Sequence, residues 1–444
     1  MTMPDNRELS SLEATMEILN RRAKTWNLVT ISRINGNLQK AVIRQALDII
    51  QYRHPSLNSR IIHSQNRFYF QPIGTEKIPL QTVINLDEQE WQEVVNQEMN
   101  EAIDSSKCLM RVVIVTIKDE PKINYLISTL HHAISDGLSS IQLHSEIFTY
   151  YQRLTSGDTI KQVTTLEQLP PIEKLLPKYT QGWRGNTSRF LLLLKIGWQK
   201  FWKQPKTLNF EKYVPIYQRN CAIIHKQIFA DATENFIAQC KLENTTVNSA
   251  LCALLMLTVA RKIIKPNQKS VCMNCLSYLD LRRRLQPAIN KENLAVLATS
   301  LMGFHTINKN TSFWELAREV KQNLESGIKH GDIFNMVLLA KYLTKFCFIF
   351  PQQVAATVSV SNIGKVNIPK SYGELELEEI SFAGSHSLYA GMFVIHVATF
   401  QGKMLLNFVF SQPSISRETM EDMVNQVVCY ILNLSSNTAK IRGA

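Results

Sequence analysis

The string His131-His132-Ala133-Ile134-Ser135-Asp136-Gly137 gathers the side chains of this chain best suited to proton chemistry. Two adjacent imidazoles are followed, after three residues, by Asp-Gly. Histidine has the unperturbed pKa nearest neutrality, so one of the pair can take and return a proton within a reaction cycle. An acid four residues beyond the second histidine can brace the turn, and glycine permits positive φ and close backbone approach. Amides that open a following helix add partial positive charge. A lone histidine is usually structural; the paired string with Asp-Gly argues for a catalytic turn.

The flanking residues give that turn a place. Ile123 to Leu130 reads as a buried strand, and Leu138, Ile141, Ile147 and Phe148 mark a helix that ends near Gly157. The motif therefore sits at a strand-to-helix corner. Met110 to Lys118 is strongly β-branched, and Asp119-Glu120-Pro121-Lys122 turns it into the motif strand as a hairpin. Upstream, a helix is expected over Leu9–Asn20 with Ser10 or Ser11 as N-cap, then a strand over Trp26–Ile34 and a turn at Asn35-Gly36. Val42, Ile43, Ala46, Leu47 and Ile50 share one face of a helix from Leu38, which stops before Arg53-His54-Pro55. Strands at 57–62 and 68–71 and a helix over 91–103 complete this half.

Prolines 170, 171, 177 and 205 mark a change of character between 156 and 220. Within it, Arg189 to Lys203 is apolar, aromatic and basic, with no acid. It has two readings: a helix lying on a membrane surface, or one packed on the body with its lysines toward water. Gly197 and the short length favour the second. Beyond Cys221, strands are expected at 222–229, 270–279, 294–306, 354–361, 374–382, 392–399 and 403–410. Helices are expected at 231–241, from the Thr245–Asn248 cap to Val259, at 313–326 and at 417–434. This irregular mixture predicts an α+β protein with an N-terminal lobe over 1–155, a crossover segment over 156–220 and a C-terminal lobe over 221–444.

Composition narrows the partners. The 444 residues are 45% hydrophobic, which suits a folded globular chain, and the formal net charge of +12 favours negatively charged partners. No Arg/Lys block is interleaved with aromatics, so nucleic acid is not expected. Cys272 and Cys275 form the only C-x-x-C pair among eight scattered cysteines, with no second pair or histidines at ligand spacing. Reduced thiols in a cytoplasmic protein and no metal site are therefore expected. The N-terminus has no apolar leader, and no stretch approaches ~18 consecutive apolar residues, so no spanning helix is expected.

The motif is similar to the active-site string of the condensation-domain and acyltransferase superfamily related to chloramphenicol acetyltransferase. That group includes condensation domains, wax ester synthases, alcohol acetyltransferases and polyketide-associated acyltransferases. Gly36-Asn37-Leu38 through Arg53-His54-Pro55-Ser56-Leu57 resembles its N-terminal helix and R-H-P-x-L element. Tyr278-Leu279-Asp280-Leu281-Arg282 resembles its D-L-R element, and Ser361-Asn362-Ile363-Gly364 the S-N-x-G loop of its stand-alone members. The plant D-F-G-W-G loop is absent.

The resemblance implies two chloramphenicol-acetyltransferase-like lobes, each a mixed sheet with flanking helices, and a tunnel between them. His132 would be the general base, His131 a support, and Asp136 a brace tied to Arg282. Gly137 would let the chain turn and could offer its amide to an oxyanion. Ser361, Asn362 and Gly364 would be tunnel or loop residues, with Ser277 and Ser361 as hydroxyl donors; in both the serine can equally be a small polar filler. The Arg283-Arg284 pair would be a solvated cluster or a contact to phosphopantetheine or an acidic carrier.

The implied reaction moves an acyl group from acyl-CoA or a phosphopantetheine thioester on an acidic acyl carrier protein to a small-molecule or lipid alcohol. No permanently bound cofactor is implied. The expected protein is a stand-alone monomer of lipid or natural-product biosynthesis, cytoplasmic, with peripheral membrane contact open through 189–203. An amine acceptor, or a catalytically silent docking protein of the same fold, remain the alternatives.

Overall fold

The computed structural model describes residues 6–442 apart from 25, 88, 89, 159 and 161. The chain divides into two compact units that are not contiguous in sequence. The first holds the residues up to Leu175 together with Arg282–Leu297 and Lys365–Ser385; the second holds Leu176–Leu281, Ala298–Gly364 and the residues from His386 on. Segment 156–220 is thus shared, with its break at Leu175/Leu176.

The first unit is built on a six-stranded mixed sheet in the order Ser371–Tyr372, Leu375–Gly384, Asn27–Asn35, Ile123–His131, Met110–Ile117, Leu80–Leu86. The last pair is parallel and the others antiparallel. Ile123–His131 is buried at every position, Asn124, Ser128, Thr129 and His131 included, so its sequence shows no alternation of apolar and exposed polar residues. Both its neighbours pair antiparallel along nearly its whole length, so its C-terminal end is held in register from two sides. A small three-stranded sheet, Arg7–Glu8, Arg67–Gln71 and Arg60–Ser64, lies in the same unit.

Local sequence explains the helices of this unit. Ser10 caps Ser11–Ala23 in a reciprocal box with Glu13, satisfying two backbone donors that the first turn would otherwise leave open. Lys40–Arg53 buries Ile43, Ala46, Leu47 and Ile50 of the face its periodicity predicts, with Val42 half-buried. Gly137–Thr155 begins where Asp136 accepts from the Ser139 amide while the Ser139 hydroxyl bonds the Asp136 amide. Its buried face carries Ile141, Ile147, Phe148 and Tyr151.

The second unit has its own six-stranded sheet, in the order Ala298–Asn308, Ser270–Asp280, Val358–Lys365, Phe393–Phe400, Lys403–Gln412, Asn220–Ile228. The helix Val247–Ile263 is buried nearly all round and forms the centre of its core with Phe393, Phe408 and Val424. Hydrophobic on every side, it belongs inside a core and not on a surface. Gly182–Lys203 behaves oppositely: only Gly185 and Leu192 are buried, and Lys200 turns inward to donate to the Ala355 carbonyl at 3.0 Å.

Several elements depart from the sequence-based expectations. The strand Leu80–Leu86 and the helix Asp332–Ile349 fall in stretches given no element. The extended run expected over 294–306 is divided: Leu294–Leu297 joins the first unit, and the strand starts at Ala298. The strand expected to stop at Ser361 continues to Lys365, so Asn362 and Ile363 lie within it, with Gly364 at positive φ near its end. Among the described residues no single helix is long and apolar enough to cross a membrane.

Candidate active site

His132 leaves the sheet just past the central strand. Its Nδ1 lies 2.6 Å from the Ser135 carbonyl oxygen. A carbonyl can only accept, so Nδ1 carries the proton and the lone pair of the neutral ring is on Nε2. Nε2 has no hydrogen-bond partner among the described residues. Burial holds the imidazole pKa below its ordinary value, opposed by the nearby Asp136 carboxylate. The Trp26 ring stands 5.6 Å from the His132 ring at a tilt of 55°. Trp26 itself adopts φ +66, an unusual conformation for a bulky residue, and its amide donates to the Ser385 carbonyl at 2.6 Å.

His131 faces the other way and is fully buried. Its Nδ1 accepts from the Ala133 amide at 3.1 Å, which leaves the proton on Nε2, and that nitrogen lies 2.9 Å from Glu17 Oε2. Burial alone would raise the Glu17 pKa, but His131, Ser105 and Arg21 together bring it down to about 2. The first histidine is thereby tied to the helix Ser11–Ala23.

Asp136 has its carboxylate saturated. Besides the Ser139 amide, Arg282 donates from Nη1 to Oδ2 at 2.8 Å and from Nη2 to Oδ1 at 3.0 Å, and the Leu297 amide donates to Oδ2 at 3.0 Å. Burial would raise its pKa; the guanidinium and these donors outweigh that and lower it. An ionised carboxylate with this many donors is a fixed part of the loop, not a proton carrier.

Gly137 differs from the expectation of a turn-permitting glycine, since its φ is not positive. A Cβ there would lie 2.8 Å from Cε2 of Phe382 on the strand Leu375–Gly384. The small residue is required for close packing of that ring, not for backbone freedom.

Three supporting residues lie outside the motif. His144 on the motif helix is bracketed by the Ser32 hydroxyl at 2.8 Å and the Ser128 hydroxyl at 2.6 Å, and burial pushes its pKa down to about 3. Arg53 pairs with Glu146 at 2.6 Å and Glu292 at 2.9 Å, and His54 Nε2 meets the same Glu146 at 2.8 Å. The R-H-P element is thereby fastened to the motif helix. Histidine at 144 falls on the buried side of a predicted helix, which is the one sequence signal that could have singled it out.

The structure thus brings His131, His132, Asp136, Gly137 and Arg282 together in the first unit. Ser361, Asn362 and Gly364 belong to the second, half-buried on Val358–Lys365, where Asn362 Oδ1 accepts from the Gly364 amide at 2.8 Å. Ser277 is also in the second unit, buried between Asn248 and Cys252. Among the described residues no group of three or more His, Cys, Asp or Glu is placed to hold a metal ion. A neutral imidazole with its lone pair on Nε2, held by a braced loop, is chemically equipped to accept a proton from an incoming nucleophile.

Comparison with known proteins places this geometry. Residues 14–167 match the family model of the condensation domain, and residues 222–409 match that of the phthiocerol/phthiodiolone dimycocerosyl transferase C-terminus. A nonribosomal peptide synthetase of Fusarium vanettenii is 24% identical over 212 residues, 46% of this chain; the match spans only 3% of that much longer protein. A probable alcohol acetyltransferase of Fusarium pseudograminearum is 21% identical over 385 residues, covering 81% of this chain and 75% of its own length. The solved trichothecene 15-O-acetyltransferase of Fusarium sporotrichioides superposes with a TM-score of 0.78 at 11% identity, covering 97% of this chain and 95% of that one. The fold is the two-lobed, chloramphenicol-acetyltransferase-like α+β fold. With two family models matched in succession along it, the chain is similar in sequence and fold to condensation-domain and related acyltransferases.

Proposed function

We propose that this protein transfers an acyl group from a thioester, acyl-CoA or an acyl carrier protein, to a hydroxyl acceptor, with His132 as general base. The observation that carries the reading is the Nδ1 contact to the Ser135 carbonyl, which leaves the Nε2 lone pair available. Nε2 takes the acceptor O–H proton as the oxygen attacks the thioester carbonyl. The tetrahedral intermediate collapses with C–S cleavage, and the departing thiolate takes the proton back from Nε2. The products are an ester and a free thiol, with the base regenerated. His131, Asp136 and Arg282 are positioning residues, Gly137 serves the packing of the loop, and Ser361, Asn362 and Gly364 are strand residues of the second unit. The partner classes are an alcohol of small-molecule or lipid type and, on the donor side, CoA or an acidic carrier that the net charge of +12 would attract.

The match to a condensation-domain model supports an amine acceptor as the second reading, since the same base can deprotonate an amine. A donor–acceptor screen read by mass spectrometry separates the two, with His132→Ala as control. Ester formation that falls ~10²–10⁴-fold in the variant is expected. Amide products alone would favour the second reading. Transfer undiminished in the variant would remove His132 from the mechanism, and no transfer from either donor class would leave a docking protein.

A further inference from the structure

The geometry points to the helix Gly182–Lys203 as a docking face for an anionic lipid surface. A helix on a globular body normally turns its apolar stripe inward. Here the stripe Trp183, Phe190, Leu194, Trp198, Phe201 and Trp202 recurs at helical spacing and every member is more than half exposed. Trp198 and Trp202 stack one turn apart, with ring centres 5.5 Å apart and planes within 6°. The two rings thus form one continuous, exposed aromatic patch on the helix.

Charge selects the occupant. Besides the inward-turned Lys200, the helix carries Arg184, Arg189, Lys195 and Lys203 and no acidic residue. Tryptophan and phenylalanine beside lysine and arginine is the composition of helices that lie in the headgroup region, rings inserted and cations at the phosphates. At 22 residues the helix is ~33 Å long, enough to lie across many headgroups. The neighbouring helix Asp332–Ile349 is held against it by Asn335 Nδ2 donating to Ser188 Oγ at 2.9 Å, with Lys195 lying 4.0 Å from Asp332. That helix also exposes Tyr342 and Ile349 and carries Lys341 and Lys345 with no acid after Asp332. A protein partner of ordinary polarity would need acidic groups against this face and an aromatic-lined groove besides; an anionic bilayer supplies both the negative charge and the apolar depth.

Vesicle co-sedimentation of the full chain tests this, with phosphatidylcholine alone and with phosphatidylcholine mixed with phosphatidylglycerol. Binding to the mixed vesicles is expected to exceed binding to neutral ones and to weaken with salt. Trp198→Ser/Phe201→Ser/Trp202→Ser should lower it at least ~10-fold while circular dichroism stays unchanged. If that variant fails to fold, Arg184→Glu/Lys203→Glu, at two exposed positions, should lower binding to the mixed vesicles alone. No binding to either vesicle overturns the inference, as does equal binding by the folded variants. Equal, salt-insensitive binding to both vesicles overturns the anionic part. A wild-type dimer that the triple variant turns into a monomer, with no vesicle binding, would assign the face to a second copy.

Discussion

Arg282 grips Asp136 with both terminal nitrogens, Nη1 to Oδ2 at 2.8 Å and Nη2 to Oδ1 at 3.0 Å, both side chains almost wholly buried. The two residues are 146 positions apart in the chain, yet both belong to the first compact unit. Asp136 also caps the motif helix, so one carboxylate ties that helix, the histidine loop and the Arg282–Leu297 segment together.

Breaking this pair should be costly, because the remaining charge stays buried without its partner. Arg282→Met or Asp136→Asn is expected to lose ~3–5 kcal/mol of stability, and the double variant to recover part of that loss. Urea denaturation of the three variants against wild type measures it. Full additivity of the two single losses would show that the residues act independently.

Gly137→Ala places a methyl 2.8 Å from the Phe382 ring. A loss of ~1–3 kcal/mol is expected from the displaced ring. Phe382→Leu in the same chain should relieve most of the added strain. A Gly137→Ala variant as stable as wild type, by thermal and urea unfolding, would show that the ring yields freely.

The acidic limb of kcat/KM should lie below the ordinary imidazole range, since burial lowers the His132 pKa. A depressed value keeps Nε2 unprotonated to lower pH, so activity persists there. Removing the carboxylate charge in Asp136→Asn should move the limb further toward acid, because Asp136 opposes the burial effect. A limb that shifts upward in that variant would contradict the electrostatics described for the loop.

His144 ties stability to pH. Its pKa is about 3 in the folded protein and ~6.5 in an unfolded chain, so the unfolded state binds the extra proton. Its contribution is whole above that unfolded value and is lost as pH falls toward 3. His144→Gln should be less stable near neutrality and show a shallower decline between those limits. Denaturant midpoints taken across that pH range give the slope; an unchanged slope would mean that other groups carry the acid sensitivity.

Much of the fold was legible because its signals are local. The buried strand, the histidine turn and the helix after it lie within 33 consecutive residues, Ile123–Thr155, where apolar run and helical period are read directly. The capping box at Ser10 and the buried face of Lys40–Arg53 are of the same kind. Leu80–Leu86 escaped notice because Gln81 and Thr82 dilute its apolar pattern, and its support comes from parallel pairing with Met110–Ile117.

By itself the sequence determined the chemistry available at the turn: an imidazole pair, a carboxylate at capping distance and the amides of a helix start. It also determined, through resemblance, that Arg282 is the residue to look for. Tertiary structure decided which histidine keeps its lone pair unengaged, because the Ser135 carbonyl accepts from Nδ1 of His132 while the Ala133 amide and Glu17 occupy both nitrogens of His131. It decided why position 137 is glycine, because Phe382 arrives on a strand paired to Asn27–Asn35 from far along the chain. It also turned the aromatic face of Gly182–Lys203 outward, which periodicity cannot do. The physical reason is common to all three. Propensity and period act over a few turns, whereas register between distant strands and the side of a helix that meets the core are settled only when the remote segments pack.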